Sequence, residues 1–297
     1  MPAGRSVGAD GRGRRGRVVT TLREAVARVL VVAHHEDTTQ LRATLEGEGF
    51  TVEEIRGPYT AEQERWSMIK RALCNHANAW RRCVELGADV IVCEADFVPV
   101  VRFGARTLPC PLSAPDEPGR VAWLYGAGSI LYAVDPRGFL YGHGQTAVCC
   151  YVSVGAARAM LEFFALESRK ADAGIYDMWD TRMSVHLRRV HGVESYFTDR
   201  QLGEHGGLPN PEHARAGFRP WHHADLLAGR LAFRPAYARG RRARYLRRRL
   251  LARLRGIGRV VLLRYFDPRH VRKGHSRVRL SLLALRRLAL LMTMPPL

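Results

Sequence analysis

Apolar positions change their spacing several times along the chain, and each change marks an element. Arg28 to Ala33 (RVLVVA) is a short β-branched run, a polar helical stretch follows from about Asp37 to Glu48 with Gly49 as its stop, and Phe50 to Ile55 is a second strand. That order predicts a βαβ opening. Thr60 with Gln63 three residues on forms a capping-box pattern, and Trp66, Ile69, Leu73, Ala77, Trp80 and Val84 then recur at three- and four-residue spacing until Gly87. This predicts one long helix. Asp89 to Cys93 (DVIVC) has the uniform apolarity of a strand buried on both faces, and Glu94, Ala95 and Asp96 follow it at once. Beyond a Pro-rich loop from about Thr107 to Gly119, strands are expected near Val121 to Tyr125 and Ala147 to Val152. Helices are expected from about Gly155 to Leu166 and Tyr176 to Val190.

With 297 residues and 46% apolar content, the chain is long enough to bury a full α/β core. The net charge of +19 first points to nucleic acid. Its distribution changes that picture. Residues 239 to 297 carry 18 Arg or Lys against one acid, Asp267, and residues 1 to 17 carry five Arg against Asp10, so the body between them is nearly neutral. The Gly/Arg-rich segment 1–20 is read as a disordered leader, 25–235 as the folded domain, and 239–297 as a basic amphipathic helical tail. Six cysteines, at 74, 83, 93, 110, 149 and 150, lack metal-ligand or disulfide spacing. Reduced thiols in the cytoplasm fit this pattern, and no apolar run reaches the roughly 18 residues of a membrane span.

The acidic turn carries the chemistry. In open α/β sheets, ligands bind beyond the carboxyl ends of strands, where Glu94 and Asp96, one residue apart, can converge on one ion. Mg²⁺ or Mn²⁺ is typically held by one or two carboxylates together with substrate phosphate oxygens. The plainer reading of this turn is a loop cap.

The blocks YTAEQ at 59–63, LCNHANAW at 73–80, VIVCEADFVPV at 90–100, AVCCYVSVGAARAML at 147–161 and YDMWD at 176–180 resemble, in order, those of glycosyltransferase family 25, the lipopolysaccharide-biosynthesis glycosyltransferases. Asn75 stands where that family usually has Ser before the His, and Ala95 where a second carboxylate is common. The resemblance implies a GT-A-like (Rossmann-like nucleotide-diphospho-sugar transferase) α/β domain. It also implies a nucleotide-sugar donor, a glycan or glycolipid acceptor, a role in lipopolysaccharide or other cell-surface glycan synthesis, and a divalent metal at Glu94 and Asp96. Asn75 and His76 are then expected on a helix edge facing the donor, although a core role for His76 is as well founded on residues alone.

Asp177 and Asp180, three apart, share a helix face and are candidates for the base that deprotonates the acceptor, or simply acids at a helix start. Glu204 and His205 lie among Gly203, Gly206 and Gly207, where backbone can approach a ligand. His205 is the expected third metal ligand and Glu204 a donor contact, with His222 and His223 competing for the histidine role. Tyr59 is a candidate for the donor base or sugar, as is Tyr151, and both types are also common in cores.

In the tail, Arg is interleaved with Tyr245, Leu246, Leu250, Leu251 and Leu254, and a second apolar stretch spans 278–292. An anionic membrane surface is the favoured partner, ahead of packing on the domain and of nucleic acid, because the leucine content exceeds what phosphate binding needs. The enzyme would then sit on the inner face of the cell membrane. Two rival readings are a catalytically silent glycosyltransferase-like binding protein and a nucleic-acid-binding protein acting through the tail.

Overall fold

The computed structural model describes residues 20–112, 117–144, 146–170, 178–208, 223–267 and 276–294. Residues 1–19 of the expected leader, Asp177 and His222 lie outside them. Helix α1 (Leu22–Ala25) is closed by a capping box between Thr21 and Glu24. Strand β1 (Arg28–Val32), helix α2 (Thr39–Gly47), strand β2 (Thr51–Ile55), helix α3 (Met68–Leu86) and strand β3 (Val90–Glu94) follow. Strand β1 pairs in parallel with both β2 and β3, which is the expected βαβ opening.

Five more strands complete the main sheet: β5 (Arg120–Tyr125), β6 (Ile130–Val134), β7 (Leu140–His143), β8 (Cys149–Val152) and β9 (Glu194–Phe197). The order is β2-β1-β3-β8-β5-β9-β7-β6, with β8 antiparallel between β3 and β5. A separate two-stranded ladder joins β4 (Phe97–Pro99) to β10 (Gly203–His205). Helices α4 (Val154–Glu167) and α5 (Trp179–His191) and two tail helices, Arg242–Val261 and Arg277–Thr293, complete an α/β fold with a mixed eight-stranded sheet and C-terminal helices.

Two boundaries differ from the sequence expectation in ways that matter. The Thr60/Gln63 box forms, with reciprocal bonds of 2.9 and 3.2 Å, but it closes a short 3₁₀ turn over Gln63–Arg65. Trp66 is extended after that turn, and the long helix starts anew at Met68 with Ser67 as its cap. Gly87, in the left-handed region at φ 60°, ends it as expected, because a residue with a Cβ is disfavoured there. Strand β3 runs one residue further than its apolar run, so Glu94 still belongs to it. Asp89 is instead a helix-side anchor, accepting from the Val154 amide at 3.0 Å and from the Tyr151 hydroxyl. Tyr151 is therefore a core residue rather than a ligand contact.

Alternation along the strands divides the core in two. Leu30, Val32, Val90 and Val92 face α3, α4 and α5, while Val29, Val31, Ile91 and Cys93 face α2 and the segment after β4. All six cysteines are free and buried. Burial pushes the Cys74 thiol up to about 11, so it is a packing residue rather than a reactive one. The tail belongs to the first of these cores: Val260, Tyr265, Leu280 and Leu291 are buried in it. No helix among the described residues is long and apolar enough to cross a membrane.

Candidate metal centre

Strand β3 ends where its parallel neighbour β1 ends, and the chain leaves the sheet there. The Glu94 amide donates to Val148 O at 2.9 Å and the Ala95 amide to Val32 O at 2.9 Å, so the acidic turn is fixed to strands on both sides. Glu94 continues the Val90, Val92 face, which directs its carboxylate toward α3. There it meets His76, with Nε2 3.2 Å from Oε1. His76 is buried and packed between Trp80 and Trp179, at ring-centroid distances of 6.0 and 5.3 Å.

Asp96 opens the β4–β10 ladder. Strand β10 returns antiparallel to β4 with His205 opposite Phe97, and the Gly206 amide donates to Asp96 O at 2.8 Å. This pairing sets His205 Nε2 2.9 Å from Asp96 Oδ2. The glycines around it have a steric reason: a Cβ at Gly207 would overlap the Asp96 carboxylate, and one at Gly203 would overlap the Phe97 ring.

Glu94, Asp96 and His205 each offer a ligand atom, and these atoms all lie within 4.8 Å of one another. The set fits a divalent cation for a further reason: Asp96 Oδ1 is buried with no hydrogen-bond partner among the described residues, although such atoms are normally satisfied. Two carboxylates with one imidazole suit Mn²⁺ better than Mg²⁺, which prefers oxygen alone. Burial works against the charged form of His205, but Asp96 and, beyond it, Glu94 raise its pKa to about 9. An imidazolium thus neutralises part of the acid cluster when no other cation does.

Asp180 lies in the first turn of α5, beside Trp179, which packs on His76. Its carboxylate accepts from the Thr181 amide at 2.7 Å, and no cation reaches it among the described residues. Burial pushes its pKa up to about 7; the Thr181 amide opposes this and the Glu94 charge adds to it. A carboxyl that exchanges its proton near neutral pH is suited to acid–base work.

Three predicted donor contacts have other tasks. Asn75 is buried, donating to Ala33 O at 2.8 Å and accepting from the Gly57 amide at 3.0 Å. It clamps the end of β1 to the loop after β2. His76 stands behind Glu94 and orients it, as partners of metal ligands commonly do. Glu204 points away from the centre, because neighbouring residues of a strand face opposite sides. Its carboxylate is fully buried, taking the Ala224 amide at 2.9 Å and Arg249 Nη1 of the first tail helix at 2.7 Å. His223 joins that pair, with Nδ1 3.4 Å from Glu204 Oε1, so it does not compete with His205.

Tyr59 is half-buried in the loop beyond β2, edge-on to His34 at 5.3 Å between ring centroids. His34, His35 and Glu36 follow β1, so this aromatic group lies at the same carboxyl edge of the sheet as the acidic turn. Arg249 and Asp89 are also part of this framework, and neither the buried ion pair of the one nor the cap of the other bears a local sequence pattern. No protein-family model matches the chain and no curated protein matches it.

Proposed function

We propose that this protein is a metal-dependent glycosyltransferase with a GT-A-like domain, which moves a sugar from a nucleotide-sugar donor to a hydroxyl of a glycan or glycolipid. One observation carries this reading: His205, more than a hundred residues along the chain from Glu94 and Asp96, is brought within 4.8 Å of both at the end of a strand of the parallel section. Glu94, Asp96 and His205 would hold Mn²⁺, or less favourably Mg²⁺. A bound cation would supply positive charge to the diphosphate leaving group. His76 keeps the Glu94 carboxylate in place, and the β4–β10 ladder keeps His205 against Asp96. Asp180, with a pKa near 7, takes the proton of the acceptor hydroxyl as the new bond to the anomeric carbon forms. Tyr59 and His34 offer aromatic faces to the nucleotide base.

The test is Mn²⁺ binding by the purified full chain, followed by nucleotide-sugar hydrolysis and transfer. At a metal concentration of about 100 times Kd, binding stabilises the folded state by about 2.7 kcal/mol, which is read as a rise in Tm. Asp96→Ala and His205→Ala are expected to abolish that rise and the metal-dependent turnover together. Turnover that survives both substitutions unchanged would overturn the proposal.

A further inference from the structure

The two tail helices have different inner and outer faces. Inward, Arg249 meets Glu204, Arg287 meets Asp225, and Leu280, Leu291 and Val260 enter the core. Outward, the second helix exposes Val278, Leu282, Leu285, Ala289 and Met292, at intervals of four, three, four and three residues. The four larger ones are 60–72% exposed, which makes a continuous apolar stripe facing water. The first tail helix, packed against the second, exposes Leu246, Leu250 and Leu254 along one side, and Val261 to Leu263 just past them. Exposed Arg247, Arg264 and Arg279 flank these stripes. The single acid of the tail, Asp267, is buried, so the outer surface of its described residues exposes no carboxylate beside these apolar and cationic groups.

From this combination we infer that the outer face of the tail docks on an anionic phospholipid bilayer, with the leucine stripes entering the headgroup boundary and the arginines meeting lipid phosphates. Amphipathic helices bind membranes by that pairing of buried apolar area with charge attraction. Other occupants fit less well. A second copy would bring one acid-free cationic surface against another, and the 278–292 stripe spans about two heptads, short of the three or four that sustain a coiled coil. Nucleic acid would match the arginines but leave the leucines against a phosphate backbone. The inference rests on the tail alone and stands whether or not the metal centre transfers sugar.

The experiment is co-sedimentation of the full-length protein with phosphatidylcholine vesicles, with or without one-quarter phosphatidylglycerol. Binding at least about tenfold tighter to the anionic vesicles is expected, weakening as salt rises from about 0.15 M to about 0.5 M. The double variant Leu282→Gln, Leu285→Gln alters only exposed side chains, so it should keep its Tm and lose about tenfold in vesicle affinity. Arg247→Gln with Arg264→Gln is a second variant, expected to lose the preference for anionic vesicles. The inference fails if anionic and neutral vesicles bind alike, or if both variants bind as the parent does. It fails equally if sedimentation shows a dimer that the leucine variant dissociates without affecting vesicle binding. Displacement from vesicles by an oligonucleotide that the leucine variant still binds would also refute it.

Discussion

Strand β10 puts Glu204 and His205 into two regions that treat acidic groups in opposite ways. On one side, Glu204 is saturated by Arg249 and the Ala224 amide, while nearby Arg287 reaches Asp225 at 2.5 Å and also donates to Asp199 O. On the other, Glu94 and Asp96 meet only histidines among the described residues, and one Asp96 oxygen is buried without a partner. A buried carboxylate needs a compensating charge. Where the chain supplies a guanidinium, that charge is permanent and the pair is structural. Where it supplies imidazoles, which can lose a proton, the charge can be exchanged for another cation.

The largest effects should separate the two regions. Arg287→Ala leaves Asp225 buried without the partner that, with Arg259, holds its pKa down against burial. We expect a loss of about 3–5 kcal/mol in urea unfolding, with Mn²⁺ binding retained in whatever fraction stays folded. Asp96→Ala should show the reverse, with stability changed by less than about 1 kcal/mol and metal binding gone. Equal losses of stability in the two variants would collapse the distinction.

Asp180 sharpens the comparison, because it is a buried carboxyl that meets neither kind of partner among the described residues. Its folded pKa, about 7, lies above the ordinary value of 3.8, so between these values the folded state holds a proton that the unfolded state has released. As far as this group is concerned, stability is therefore greatest at and below about pH 4, falls as pH rises from there through about 7, and is level above that. The full span corresponds to about 4 kcal/mol, an upper bound for one group. Asp180→Asn should flatten this part of the stability–pH curve, and a curve of unchanged slope would show that the carboxyl is solvated. A smaller effect is expected at His76. Its replacement by Ala should weaken Mn²⁺ affinity about ten- to a hundredfold by freeing Glu94, with Gln restoring part of it, as read by titration calorimetry.

Much of this was legible from residue order. The α3 helix, its Gly87 stop, strand β3 and the acidic turn all follow from local spacing, and the glycine cluster marked His205 as a residue under close approach. The donor contacts were less legible. Asn75 and His76 sit on a helix whose neighbours are the ends of β1 and β3, and only those neighbours decide that one clamps backbone and the other orients a carboxylate. The three-residue strands β4 and β10 are too short for alternation to register, so the face on which Glu204 and His205 fall could not be read before the ladder was seen.

By itself the sequence determined the elements with a strong period, the end of the chain on which charge accumulates, and the acidic pair that follows a buried strand. These are local properties, set by side-chain spacing and the backbone's few allowed conformations. The tertiary structure alone decided that His205 meets Asp96, that Glu204 turns to Arg249, and that the tail buries two arginines while leaving its leucine stripes outside. Those outcomes depend on contacts between segments far apart in the chain, whose geometry is set by sheet pairing and core packing rather than by any repeat along the sequence.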